Sequence, residues 1–163
     1  MKPILTEMFL HHAWANLAIA DFCATLDDSK LEAGAAGTYG AIGPTLLHLA
    51  AAEARYVAAL NGDPAKASLN ESQPFPGHVA VRASLRQSGD SLIALASEEV
   101  DRMIPGDHHG DPFSIPLSIF IIQAIDHGKE HRTHIAAALT GLGMEPPTLD
   151  GWRYAERPGA NNA

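Results

Sequence analysis

"LTEMFLHHAWANLAIADFCATL", residues 5–26, decides the fold class. Leu5, Met8, Phe9, His12, Ala15, Ile19, Phe22 and Leu26 recur at spacings of three and four, the repeat of a helix that buries one stripe. Pro3 suits an early helical position, where a missing N–H removes no intrahelical bond. This reading predicts a first helix over residues 3–26. "DDSK" and the Gly/Ala-rich "EAGAAGTYGAIG" then break the pattern.

The same period appears three more times. Leu46, Leu49, Ala50, Glu53, Tyr56, Val57 and Leu60 give a mostly apolar face over 44–61, which stops at Asn61-Gly62. A linker with Pro64, Pro74, Pro76 and Gly77 follows; it is long for a compact domain and is expected to wrap the surface or border a site. Val81, Leu85, Leu92, Leu95, Ala96, Val100 and Met103 predict a third helix over 79–103, closed by "PGDHHGDP" at 105–112. A fourth is expected over 116–140, and a Pro/Gly-rich tail, 142–163, reads as irregular. Strand signals are weak throughout and no repeat of 20–50 residues occurs. The expectation is one all-α domain spanning 1–163, a four-helix bundle.

Composition narrows the function classes. A chain of 163 residues with 46% hydrophobic and 18% charged residues carries enough apolar side chain for one substantial core. The net charge of −8 and the absence of a basic stripe argue against nucleic acid or an anionic membrane as partner. With Cys23 as the sole cysteine, neither a disulfide framework nor a thiolate zinc cage is possible. "MKPILTEMFLHHAW" lacks the features of a signal peptide. The most apolar run, Ile115 to Ile125, is far shorter than the about 20 residues of a bilayer span. A cytoplasmic protein without nucleic-acid or membrane partners is expected.

The chemistry concentrates in "DHGKEHRTHI", residues 126–135, within the fourth helix. At about 100° per residue, His131 lies roughly 40° around from His127 and His134 about 20° the other way, so all three share a face with Gln123. An i, i+4 histidine pair can bind one cation, and neutral imidazole suits zinc, nickel, copper and iron. A catalytic site of the three-ligand type needs one more donor from another helix. His11, His12, His48, His78, His108 and His109 are available. His48, in "PTLLHLAAAE" of the second helix, is the best choice, because burying an imidazole among apolar residues is costly unless it finds a partner.

These motifs resemble the DinB/YfiT-like metalloenzyme family over nearly the whole chain. The resemblance rests on His48 in "LLHLAAAE", on the HxxxH of His127 and His131, and on the Trp14-Ala15-Asn16 triplet of the first helix. The tail "PPTLDGWRYAE", with Asp150, Trp152 and Tyr154, is similar too. The order and spacing, more than any one fragment, carry it. The match implies a four-helix bundle in which His48, His127 and His131 coordinate a divalent metal, with water or substrate in the remaining positions, and it implies a homodimer. Relatives often continue HR with Gly-Gln-Ile; here Thr133-His134-Ile135 follows, so His134 replaces the common glutamine.

The resemblance points to a metal-dependent enzyme acting on a small molecule with a low-molecular-weight thiol, as an S-transferase or isomerase. A metal-dependent hydrolase and a non-catalytic metal-binding or stress-related interaction protein are the alternatives. Zinc or nickel is expected before iron or copper. His134 is the candidate catalytic residue, as a general base one turn from the ligands, with a fourth-ligand or a packing role as the other readings. Glu53 could reach a ligand, Gln123 could line the mouth, and Arg55, Arg132 and Arg153 could receive a carboxylated thiol. Because binding needs neutral imidazoles, metal release is expected as pH falls through about 6.

Overall fold

The computed structural model describes residues 3–62, 69–97, 100–108 and 111–157. Four long helices form the frame: α1 (Ile4–Cys23), α3 (Ile42–Leu60), α4 (His78–Leu95) and α5 (Leu117–Gly141). Between them lie a one-turn helix, α2 (Asp28–Leu31), a hairpin of β1 (Met103–His108) and β2 (Asp111–Pro116), and a final short helix, α6 (Gly151–Ala155). α4 packs on both α1 and α3, while α5 packs on α3 and less extensively on α1. The long helices therefore close a ring in the order α1, α4, α3, α5, with α1 opposite α3. The fold is an all-α bundle.

Three regions differ from the sequence reading. α4 stops at Leu95 rather than running to Met103, and residues 103–108 pair antiparallel with residues 111–116, Ile104 opposite Ile115. Val100 and Met103, assigned above to a buried stripe, are 73% and 53% exposed, whereas Ile104 is fully buried. The residue before a proline is pushed toward extended backbone, so Pro105 works against a helix through Ile104. Prolines 105, 112 and 116 are tolerated because both strands of a two-stranded sheet are edges. The tail is not wholly irregular: Asp150 caps α6 by accepting from the Arg153 N–H at 2.8 Å. Within "DDSK", residues Asp28 to Lys30 belong to α2, and Asp27 precedes it in extended backbone.

The hairpin anchors the helix that carries two of the histidines. Ile104 packs with Leu117 and Phe120 at the start of α5. Asp101 accepts from both the backbone N–H and the hydroxyl of Ser118, at 2.8 and 2.9 Å, and the Leu117 N–H donates to the Arg102 carbonyl at 2.8 Å. Two of the N–H groups that a helix start leaves without an intrahelical acceptor are thereby satisfied.

Inside the ring, two apolar layers sandwich a polar one. The larger layer includes Ile19, Cys23, Leu46, Leu49, Leu85, Ile135 and Leu139; the smaller centres on Phe9, Leu92 and Ala124. Between them, each long helix contributes buried polar or minimal side chains: His12 and Asn16 from α1, Glu53 from α3, Ser88 from α4, and Gly128 and Arg132 from α5. Cys23 is fully buried, and that burial pushes its thiol up to about 12. No helix among the described residues is long and apolar enough to cross a membrane.

Candidate metal centre

His127 and His131 lie one turn apart on α5, and His48 faces them from α3. One ring nitrogen from each of the three comes within 4.8 Å of the others. The Nε2 atoms of His48 and His127 are 3.1 Å apart. Two nitrogens on a tetrahedral ion at about 2.0–2.1 Å would stand roughly 3.4 Å apart, so the spacing fits a shared cation. Nδ1 of His131 is buried with no hydrogen-bond partner, an expense that a ligand would relieve.

The electrostatics suit the same purpose. Burial first, then the neighbouring His131 and His48, pushes the His127 imidazole down to about 3. Burial, then His48 and His134, pushes His131 down to about 4. Both rings are thus neutral near pH 7, the form in which imidazole donates to a metal. Donor type, spacing and protonation state all fit a divalent transition metal. The three histidines are positioned to hold one.

The other sequence candidates fall elsewhere. His134 stands beside the centre, its ring 5.3 Å from that of His131, and is not one of the three converging donors. His11 is tied to the tail through the Leu149 carbonyl at 2.9 Å and packs on Trp14 and Tyr154. His78 begins α4 against Phe75. Pro64, His109 and the His108 side chain lie outside the described residues. Gln123 reaches the Tyr56 hydroxyl at 3.2 Å, and it is the Tyr56 ring that borders His127.

Glu53 serves the polar layer rather than the ligands. Its Oε2 accepts from His12 Nε2 at 2.6 Å and from Asn16 Nδ2 at 2.7 Å, and Asn16 Oδ1 accepts from the Arg132 guanidinium. Arg132 is 7% exposed, and burial lowers its guanidinium to about 10 against the pull of Glu53. It therefore stays charged at neutral pH, with Glu53 as its counter-charge. Because Arg132 directly follows His131, this bonding fixes the rotation of α5 on which the ligand pair depends. Gly128 leaves the necessary room: a Cβ there would sit 2.4 Å from His12 Cε1 and 3.0 Å from the guanidinium.

Two contacts of His48 carried no sequence signal. Its Nδ1 pairs with Glu71 Oε2, and the Tyr39 hydroxyl lies 3.0 Å from the same nitrogen. The Tyr39 ring stacks on His48 at 4.2 Å and meets His131 edge-on at 5.0 Å. Neither Tyr39 nor Glu71 belongs to a periodic stretch, and Glu71 is 23 residues from its partner. Outside them opens a cavity of about 620 Å³, whose lining includes Tyr39, His48, Glu71, Leu47, Phe75 and His78. Asp28 and Glu32 add acidic groups to its wall.

Of the three arginines considered for a carboxylated thiol, Arg55 pairs with Glu71 at 3.1 Å, Arg132 with Asn16, and Arg153 with Glu156 at 3.5 Å. Each is already engaged. Against known proteins, the family model described as the DinB family matches residues 1–160. No curated protein matches the sequence.

Proposed function

The chain belongs to the DinB family, and on that premise we propose that it is a metal-dependent enzyme whose divalent ion is held by His48, His127 and His131. The observation that carries this reading is the convergence of the three imidazole nitrogens. Zinc or nickel is the favoured ion, and an all-imidazole set suits iron and copper as well. A divalent ion held there would supply Lewis acidity, lowering the pKa of a coordinated thiol or water toward neutrality.

The favoured reaction is a thiol-dependent transfer or isomerisation on a small electrophilic substrate. His134, within a turn of His131, is the group assigned to take the thiol proton; the sulfur lone pair then forms the carbon–sulfur bond as the electrophilic carbon releases its leaving group or its π electron pair. The cavity beside His48 receives the small molecule against Leu47 and Phe75. Its acidic wall and the engaged arginines favour a neutral or cationic body over a carboxylate-rich one. The working form is a cytoplasmic homodimer; the exposed Ile4 and Met8, which with Ile125 line a groove beside α6, offer a surface for the second copy.

A second reading has its own support. The ligands come from α3 and α5, which also pack together, so a metal would staple them whether or not chemistry follows. His48→Ala separates the two: an enzyme loses turnover, whereas a staple mainly loses melting temperature. Hydrolysis of activated esters without added thiol would favour the hydrolase instead.

Elemental analysis of protein purified without a histidine tag is the primary test. About one ion per chain is expected for a three-ligand site. Less than about 0.2, with no uptake on titration, would remove the proposal.

A further inference from the structure

We infer that Glu71 is a positioning residue for the metal centre: by accepting the His48 Nδ1–H, it leaves the Nε2 lone pair aimed at the ion. This rests on the three-histidine reading above and adds to it a residue that the family pattern did not single out.

His48 has two ring nitrogens in different surroundings. Nε2 faces His127 Nε2 at 3.1 Å, on the inner side of the centre. Nδ1 faces outward and pairs with Glu71 Oε2. A carboxylate only accepts, so the pairing makes Nδ1 the donor. A neutral imidazole carries one N–H, which leaves Nε2 bare and able to bind a metal. A carboxylate behind a ligating histidine also raises the basicity of the donor nitrogen.

Glu71 is itself held in place. Its second oxygen, Oε1, lies 3.1 Å from Arg55 Nη1. Arg55 follows His48 by two helical turns on α3, so the carboxylate bridges two points along one face of that helix. The chain Arg55–Glu71–His48 thus joins the segment before α4 to the centre. The cavity wall includes both Glu71 and His48, so the arrangement sits where a small molecule would enter.

Tyr39 explains why the carboxylate matters. Its hydroxyl is 3.0 Å from the same Nδ1. With Glu71 present, the phenol oxygen can act only as a second acceptor for that N–H. Without Glu71, the phenol O–H is able to donate to Nδ1 instead, and the ring proton moves to Nε2. The donor nitrogen would then be blocked until the tautomer reverts. Glu71→Gln retains a carbonyl acceptor and should retain part of the effect, whereas Glu71→Ala retains none.

Two measurements on the full chain test the assignment. Calorimetric titration with zinc should show Glu71→Ala binding about 10- to 100-fold more weakly than wild type, with Glu71→Gln between them. Long-range ¹H–¹⁵N NMR of the metal-free protein should show His48 protonated at Nδ1 in wild type and at Nε2 in Glu71→Ala. Because the Glu71 side chain is 34% exposed, the metal-free variants should melt close to wild type. Wild-type protein that takes up no zinc would sink the three-histidine reading and this inference together. Wild-type binding with an unchanged affinity in Glu71→Ala, or a wild-type His48 protonated at Nε2, would overturn the Glu71 assignment alone.

Discussion

At Glu53 a carboxylate that is 2% exposed takes hydrogen bonds from two α1 side chains and balances the buried Arg132. Removing it leaves His12 and Asn16 without their acceptor and a guanidinium without its counter-charge. Breaking a buried pair from one side costs about 3–5 kcal/mol. Glu53→Ala should therefore lower the urea midpoint of the metal-free protein by a corresponding amount, with the m-value unchanged. A loss under about 1 kcal/mol would mean that Arg132 finds another partner or reaches water. The sequence did hold a clue to this pairing. His12 and Glu53 are the polar members of otherwise apolar stripes, and two such residues in facing stripes can satisfy one another. Glu71 offered no comparable clue, because only the folding back of a proline-rich segment brings it to His48.

The elements of the bundle were legible where apolar spacing persisted and lost where it stopped. α1 and α3 announce themselves through stripes that the core largely buries, with Met8 the exception at 47% exposed, and the His127–His131 pair follows from the same period in α5. The hairpin did not show, since Pro105, Gly106, Pro112 and Pro116 read as breakers while its alternation rests mainly on Ile104 and Ile115. Within α5, one substitution made at two glycines should have opposite signs. At Gly128 a Cβ would stand 2.4 Å from His12 Cε1, and such overpacking costs about 1–3 kcal/mol. At Gly141, the last residue of the helix, a Cβ meets nothing within 4 Å, and reduced freedom of the unfolded chain should stabilise the fold by about 0.4–1 kcal/mol. Thermal melts of Gly128→Ala and Gly141→Ala decide it; a Gly128→Ala variant that melts at or above wild type would contradict the packing described for His12, and a destabilised Gly141→Ala would contradict the open space at that helix end.

Across the whole molecule, the lowered histidines couple stability to pH. His127 and His131 sit near 3 and 4 in the fold against about 6.5 in an unfolded chain. The unfolded state therefore takes up protons first, and stability is complete above about pH 6.5 and declines as pH falls toward 4. The melting temperature of the metal-free protein should drop across that window, and less so in a His127→Gln/His131→Gln double variant. Equal slopes would show that the imidazoles are not the cause. The same shifts move the expected release of metal below the pH of about 6 that ordinary imidazoles suggest, because protons compete less well for these rings. Cys23 gives the bundle a clock of its own. A thiol buried in the larger apolar layer and pushed up to about 12 should be invisible to alkylating reagents until the helices part. Its labelling rate, followed by mass spectrometry, then counts openings of the entire fold. Until such an opening occurs, any thiol consumed in a turnover assay belongs to the added co-substrate and not to the protein.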